Sequence, residues 1–510
     1  MNCLSTVLVF GQTPTQSIRG TVLDEDTQLP LIGATVVVVN SEPLIGTTTD
    51  LDGTFRLEQM PIGRVSLLVS FIGYSDKVLP NIEVNSAKEV VLDIALVEAS
   101  VEMQEVDVTA TQKKGAVLND LALVSSRSIS AEQTSRYAGG FNDPSKITSN
   151  FAGVSNTQDG GNDIIVRGNS PKYIQWRLEG AEITNPNHFG DQNAVSGIVG
   201  ALNNNLLSTS DFYTSAFPAE FGDALSGVYD VRMRKGNNEK FEGIFGLGLL
   251  GTDITLEGPF KKGYSGSYLV NFRYSTIALA DDLGLVDVEG VNLKFQDAAF
   301  KFWLPTKKMG TFSIFGLQGR SSFRFQDVDP SDWVTPGNDF AQTTTTEDYD
   351  KGASLLNTGI KHVLNLSPKS YLKTTLLYSS ESIEDAVFEN LLAGDTLAEQ
   401  RLNFNSNWQK SSYKLNSIYH HKLNARHKIV AGVYYTLYEQ NVDQSVLDEN
   451  EERQTPIAFD EGIGSLRSFV NWKFTPTERL SLVAGFHNTN ILFNDKYTIE
   501  PRVALNYNLN

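Results

Sequence analysis

Across residues 236–510 apolar and polar side chains alternate with a period of two. Tyr268, Val270, Phe272 and Tyr274 share one face of an extended segment, and Asn271, Arg273 and Ser275 take the other. The same split recurs in Leu372/Thr374/Leu376/Tyr378, Ile429/Ala431/Val433/Tyr435/Leu437, Leu480/Leu482/Ala484/Phe486 and Val503/Leu505/Tyr507/Leu509. Between them stand Lys373, Gly432, Ser481, His487, Arg502 and Asn506. Successive side chains of a strand point to opposite faces, so each segment has one greasy, aromatic-tipped face and one polar face. A barrel wall in lipid requires that arrangement, because every backbone group must be paired within the wall and only the outward face meets hydrocarbon. The connections agree. Short ones (Pro259–Gly263, Pro305–Gly310, Ser367–Ser370, Lys422–His427, Pro476–Arg479) alternate with long ones (Ile277–Asn292, Gln326–Asp350, Glu381–Gln400, Asn441–Gly462), as short turns and long loops do on the two sides of an outer-membrane barrel. About eleven strands can be counted between Phe241 and Leu509, whereas a barrel wide enough to hold a folded domain needs about 22. The sequence is therefore expected to stop inside the barrel.

Other classes fall away on simpler grounds. No apolar run approaches the ~18 residues of a helical membrane span, and the longest, Ala34–Val39, is strand-sized. A net charge of −18, from 42 Lys+Arg against 60 Asp+Glu, argues against nucleic acid as a partner. The single cysteine, Cys3, excludes an internal disulfide framework. Gly246-Leu247-Gly248-Leu249-Leu250-Gly251 fits G-x-G-x-x-G, but the alternating strand Thr252–Glu257 follows it and no helix opens there, so the dinucleotide reading fails. With no Walker A sequence either, energy for uphill transport has to arrive from another protein, and no cofactor or metal site is expected.

Met1–Gln12 reads as the remnant of a secretory signal peptide, an apolar stretch from Leu4 to Phe10 ending at Gly11. Residues 17–97 hold short β-branched runs punctuated by Gly20, Gly33, Gly46, Gly53, Gly63 and Gly73, the pattern of a small β-sandwich. Thr49–Phe55 looks like a calcium loop, but Thr48 and Gln59 would occupy ligand positions 1 and 12, so an Asp-Gly hairpin turn is the better reading. Gly20-Thr21-Val22, Pro30–Val36, the Thr49–Phe55 turn, Pro61-Ile62-Gly63 and Phe71-Ile72-Gly73-Tyr74 together resemble the carboxypeptidase regulatory-like domain. That resemblance implies a non-catalytic accessory module. None of the six histidines lies in an H-x-x-E or H-E-x-x-H spacing, so no enzyme is expected.

Residues 98–114 form a linker, in which Glu105-Val106-Asp107-Val108-Thr109-Ala110 alternates and is able to lie extended, offering its backbone to another sheet edge. Residues 115–235 mix helix starts (the capping-box spacing of Ser130 to Gln133, and Asp143-Pro144) with strands at Asn162–Gly168, Tyr173–Gly180 and Gly227–Met233. The pattern alone gives a compact α+β domain. Asn162–Gly168, Leu178-Glu179-Gly180 with Ile183, and Phe217–Gly227 resemble the plug domain of TonB-dependent outer-membrane receptors, here with the regulatory-like domain in front.

The resemblance implies a mainly β protein: an N-terminal sandwich, a plug, and residues 236–510 as part of an antiparallel transmembrane barrel in the outer membrane, with the N-terminal domain periplasmic. It makes Glu105–Ala110 the TonB box, although Asp107 stands where an apolar Val is usual. It implies a small nutrient ligand, chelated metal being favoured because the plug lacks the form typical of sugar importers. Within the loop Asn185–Asp191 it makes Asn187, His188 and Phe189 candidates for facing the ligand; a plain turn is the alternative for His188. The competing reading of the whole chain is an adhesive or structural surface barrel that does not transport. The acidity has an address as well. Gln326–Asp350, Glu381–Gln400 and Asn441–Gly462 carry 20 acids and one base, Arg453, while the short turns lean basic. One rim is thus expected to be strongly negative.

Overall fold

The computed structural model of the chain describes residues 14–99 and 117–509, apart from 138, 141, 157–160, 193, 194, 196, 250, 286–290, 329–344, 394, 395, 449, 478 and 495. The signal-peptide stretch Met1–Gln12 and the segment Glu105–Ala110 lie outside the described residues.

The first unit is two facing sheets. One has the order Thr54–Pro61, Thr15–Asp24, Val90–Leu96, and the other Gly46–Thr48, Thr35–Val38, Gly63–Ser70, Lys77–Val84. Period-two patterning turns Ile18, Val22, Val36, Phe55, Leu57 and Leu67 inward, where they are buried in a core that draws only on residues between Ile18 and Leu96. The Asp50–Gly53 turn is not a hairpin, because the strands on either side of it belong to different sheets. It is a corner: Asp50 Oδ1 accepts from the amides of Asp52 and Thr54, and Gly53 has φ +71°. A Cβ on Gly53 would sit 2.8 Å from the Val22 carbonyl oxygen.

The plug is a five-stranded sheet in the order Ala181–Glu182, Ile174–Leu178, Gly227–Val231, Ser210–Tyr213, Ser126–Ile129. Every residue of its three middle strands is buried, and Trp176, Phe212 and Tyr229 fill the centre. Both expected helix starts are present. Ser130 and Gln133 form a reciprocal capping box on Ala131–Arg136, and Asp143 caps Pro144–Thr148 with Pro at the first helical position.

Twelve antiparallel strands follow in simple succession, from Glu242–Leu247 to Lys496–Tyr507. The alternation holds. Leu269, Asn271 and Ser275 are buried inward while Phe272 is exposed, and Val430, Tyr434 and Thr436 are buried while Val433 and Tyr435 are exposed. The inward face touches the plug from the second strand (Glu257) to the twelfth (Arg502), so the sheet wraps around it. Outward aromatics gather near the short turns, where His427, Trp472 and Phe474 stack and Phe260 packs on Tyr268 and Phe302. The glycine run at 246–251 is a strand turn, with Gly248 N donating to Gly251 O at 3.0 Å.

The long connections differ from expectation. Ser370–Ala393 and Thr396–Asn424 pair through to Ala393–Thr396, and His427–Leu447 pairs with Arg453–Thr477 as far as Leu447–Arg453. The described residues of Glu381–Gln400 and most of those of Asn441–Gly462 are therefore ladder and not loop. Thr396–Asn424 has 29 residues, roughly 95 Å of strand, whereas crossing an apolar band of ~25 Å at the usual tilt takes about 11 residues. The greasy alternation ends where lipid would end, but backbone pairing continues, because it does not depend on side-chain polarity. The acidic rim thus stands on projecting hairpins.

Candidate functional site

The plug is fixed to the wall by polar side chains that the wall sends inward. Leu178 and Ala181 pair across a two-residue turn in which Glu179 (φ +53°) and Gly180 (φ +87°) are both left-handed. This turn aims the Glu179 carboxylate at the wall. It accepts from Lys301 Nζ (2.8 Å), Lys361 Nζ (3.0 Å) and the Met233 amide (2.8 Å), with 2% of its side chain exposed. Arg467 reaches Glu182 (3.4 Å) and Asp223 (3.0 Å) from its wall strand. The segment Pro218–Gly222 is held by its backbone: Arg502 donates to the carbonyls of Pro218 (2.9 Å) and Phe221 (2.7 Å), Asn471 accepts from Ala219 N (3.0 Å), and His487 Nδ1 lies 2.6 Å from Ala219 O. Gly222 lies against His487, and any Cβ there would enter the imidazole.

At the apex of the plug, Asn187–His188 pairs with Val199–Gly200. Asp143 supports this ladder from below, accepting from Gly200 N (2.8 Å) and Asn162 Nδ2 (2.7 Å). Two of the three expected ligand-facing residues are buried against the wall. Asn187 and His188 are 3% and 1% exposed, and His188 Nε2 meets Asp297 Oδ2 at 3.0 Å, where Arg273 also binds. Backbone pairing leaves His188 aimed at the wall, so it acts as a strut. Phe189 (φ +57°) places its ring 6.2 Å from both Phe295 and Phe323.

A cavity of about 390 Å³ at this level is bordered by Arg324, Asp350, Lys351, Glu384 and Asp385, but strand alternation sets Lys351 and Asp385, with Phe323, on the plug side of the wall and Arg324, Asp350 and Glu384 on its outer side. Lys351 pairs with Asp191 of the plug (2.9 Å), while Tyr349 Oη and Gln192 Nε2 both donate to Asp385 (3.1 and 3.0 Å). On the plug side, Lys351, Tyr349 and Asp385 beside Phe323 suit a polar, multiply hydrogen-bonding ligand. These residues were not singled out from sequence because strand register assembles them: Arg324 is opposite Asp350, and Lys351 opposite Asp385. The available signal was the charged residues continuing the period-two pattern into supposed loops.

At the opposite, short-turn end the sandwich meets plug and wall through charges. Glu89 accepts from Arg19 (3.1 Å), Arg56 (3.4 Å) and Lys240 (2.6 Å), and Lys88 pairs with Glu257, which also binds Arg234. Burial works to raise the Glu89 pKa, but the bonds from Lys240 and Arg19 outweigh it and bring it down to about 2. Lys422 holds Asp24 and Glu98, both at 2.8 Å; Lys428 holds Asp26 (2.7 Å) and the plug's Asp120 (2.9 Å), which also binds Lys473 (2.7 Å). Among the described residues no His, Cys, Asp and Glu cluster has the geometry to hold a metal ion.

The architecture is a β-wall with an apolar outer face wrapped around an α+β plug. Residues 18–108 match the family model of the CarboxypepD_reg-like domain, a match that takes in Glu105–Val108. In solved structures the chain is similar to the outer membrane transporter YddB from Escherichia coli (14% identity, TM-score 0.52, covering 76% of this chain and 59% of that one). It is also similar to the pyoverdine outer membrane receptor FpvA from Pseudomonas aeruginosa PAO1, bound to pyoverdine (13%, 0.54, 75% and 60%). The fold is thus that of the TonB-dependent outer-membrane receptors, and the chain spans about three fifths of the length of these two. No curated protein matches it in sequence. No helix among the described residues is long and apolar enough to cross a membrane, which says nothing of crossing by strands.

Proposed function

We propose that the protein is an outer-membrane receptor that binds a small nutrient on the long-hairpin side and imports it with energy delivered by TonB. The observation that carries this reading is the wall filled by a plug. The plug's apolar core continues into the wall at Leu269, Phe315, Leu317 and Leu355, and buried ion pairs and backbone hydrogen bonds grip it as well. A pore needs no such domain, and a wall built only to adhere needs no removable one. The sandwich then lies in the periplasm. Glu105–Ala110, between sandwich and plug, serves as the TonB box and pairs with TonB as an added strand. The plug-side cluster of Lys351, Tyr349 and Asp385 beside Phe323 and the plug's Phe189 is the first ligand contact. Its lysine and hydrogen-bond donors suit an anionic metal chelate, in keeping with the pyoverdine bound by FpvA. The test is uptake of iron-loaded pyoverdine and of ferric citrate by cells carrying the full-length receptor, with and without residues 105–110. Uptake that depends on the receptor and survives the deletion unchanged refutes TonB coupling, and a receptor that admits neither chelate refutes the ligand class.

A further inference from the structure

The sandwich has an apolar core of its own, and among the described residues no apolar cluster crosses from it into plug or wall. What joins it to them is charge and amide hydrogen bonding. Domain interfaces of that kind are weaker and more salt-sensitive than apolar ones. Apart from Arg64 with Glu132 of the plug (3.6 Å), the bonds fall in two separate patches. One lies against the plug-to-wall connector and the second wall strand, through Arg19 with Asn237 (2.6 Å), Asp93 with Lys235 (2.9 Å), and Lys88 with Glu257. The other lies on the turn between the eighth and ninth strands, at Lys422 and Lys428. Six strand spacings separate the patches, roughly 29 Å along the wall at ~4.8 Å each. A domain seated on both spans the mouth beneath the plug.

The second patch has a further property. Glu98, where the sandwich ends, is held by Lys422, and Asp120, where the plug begins, is held by Lys428 and Lys473; Lys428 also holds Asp26 of the sandwich. Glu98 and Asp120, on either side of the residues that join sandwich to plug, are thus held at one place on the rim.

We propose that the sandwich is a removable cover over the periplasmic mouth and that this lysine clasp pins both ends of the linker, so that a pull on the linker lifts the cover before it moves the plug. The order follows from what each end is anchored by. The sandwich end is held by polar contacts alone, among them the buried Lys422–Asp24 pair, whereas the plug end is backed inside the wall by Glu179, Arg467, the Arg502 grip and apolar clusters that plug and wall share. The inference rests on the transport reading only for the source of the pull; docking and its sequence of release stand apart from it.

The experiment uses the full-length receptor in lipid nanodiscs, with Cys3→Ser and spin labels at the exposed Leu51 and at Lys307 on a short turn. The native protein gives one narrow distance. Raising salt, or reversing Lys422→Glu with Lys428→Glu, broadens it, the docking equilibrium falling about tenfold for each pair lost. Salt titration of the native protein covers the case in which the double reversal fails to fold. In a second arm a single molecule is pulled through a handle inserted after Ala110. A low-force release precedes plug unfolding, vanishes in the charge-reversed protein, and is delayed by an Asp26→Cys/Lys428→Cys disulfide until reductant is added. A distance indifferent to both salt and charge reversal, or a plug that unfolds while the sandwich stays docked, overturns the proposal. Uptake that survives deletion of residues 105–110 refutes TonB coupling and leaves these two readouts untouched.

Discussion

Glu179→Gln tests whether buried ion pairs anchor the plug. In the native protein one carboxylate, 2% exposed, neutralises Lys301 (side chain 6% exposed) and Lys361 (19%). The amide keeps the shape and one acceptor, but it leaves two ammonium groups facing a neutral partner away from bulk water. Breaking a buried pair by removing one charge costs about 3–5 kcal/mol. The acceptor that Gln retains, and the bond Lys301 keeps to Met233 O at 2.6 Å, place the expected loss near the lower end. A loss of ~3 kcal/mol multiplies local opening by roughly 150. The assay is hydrogen exchange of the amides of Ile174–Leu178 and Gly227–Val231 in the lipid-embedded protein. Adding Lys301→Met to Glu179→Gln should recover part of the protection, since replacing an ion pair by apolar groups is often neutral. If Glu179→Gln changes exchange less than tenfold and the double variant changes nothing further, the anchoring argument is wrong.

Three further outcomes follow from the same contacts. Gly222→Ala forces a methyl into the His487 ring, so it should shift Pro218–Gly222 off Arg502 and raise exchange there while leaving wall amides unchanged. Asp143→Ala removes the cap on Ser145 N together with the acceptor for Gly200 N and Asn162. A loss of about 2–4 kcal/mol is expected, read as early unfolding of Pro144–Thr148 and Asn187–Gly200. Glu89 has its folded pKa lowered from 4.5 to about 2. Its contribution to the sandwich and its docking is therefore complete above pH 4.5 and lost as pH falls from there towards 2. The spin-label distance should broaden over that window in the native protein and be broad already at pH 7 in Glu89→Gln.

The sequence alone settled which face of each wall strand looks where. Alternation is a local property, and a side chain's polarity reports the solvent on its own side, so Arg502, His487 and Lys373 were legible as inward residues. The capping signals at Ser130 and Asp143 were legible for the same reason, because a cap is complete within a few residues. Strand length was not, since pairing outlasts the lipid-facing pattern, and Glu381–Gln400 therefore reads as loop and folds as ladder. Only the tertiary structure turned His188 into a strut on Asp297, gathered Arg324, Asp350, Lys351 and Asp385 around one cavity, and brought Asp24 and Asp26 to Lys422 and Lys428. Each of those meetings joins residues far apart in the chain, and where such residues meet is decided by strand register and by the seating of plug and sandwich, neither of which is written in any local stretch of sequence.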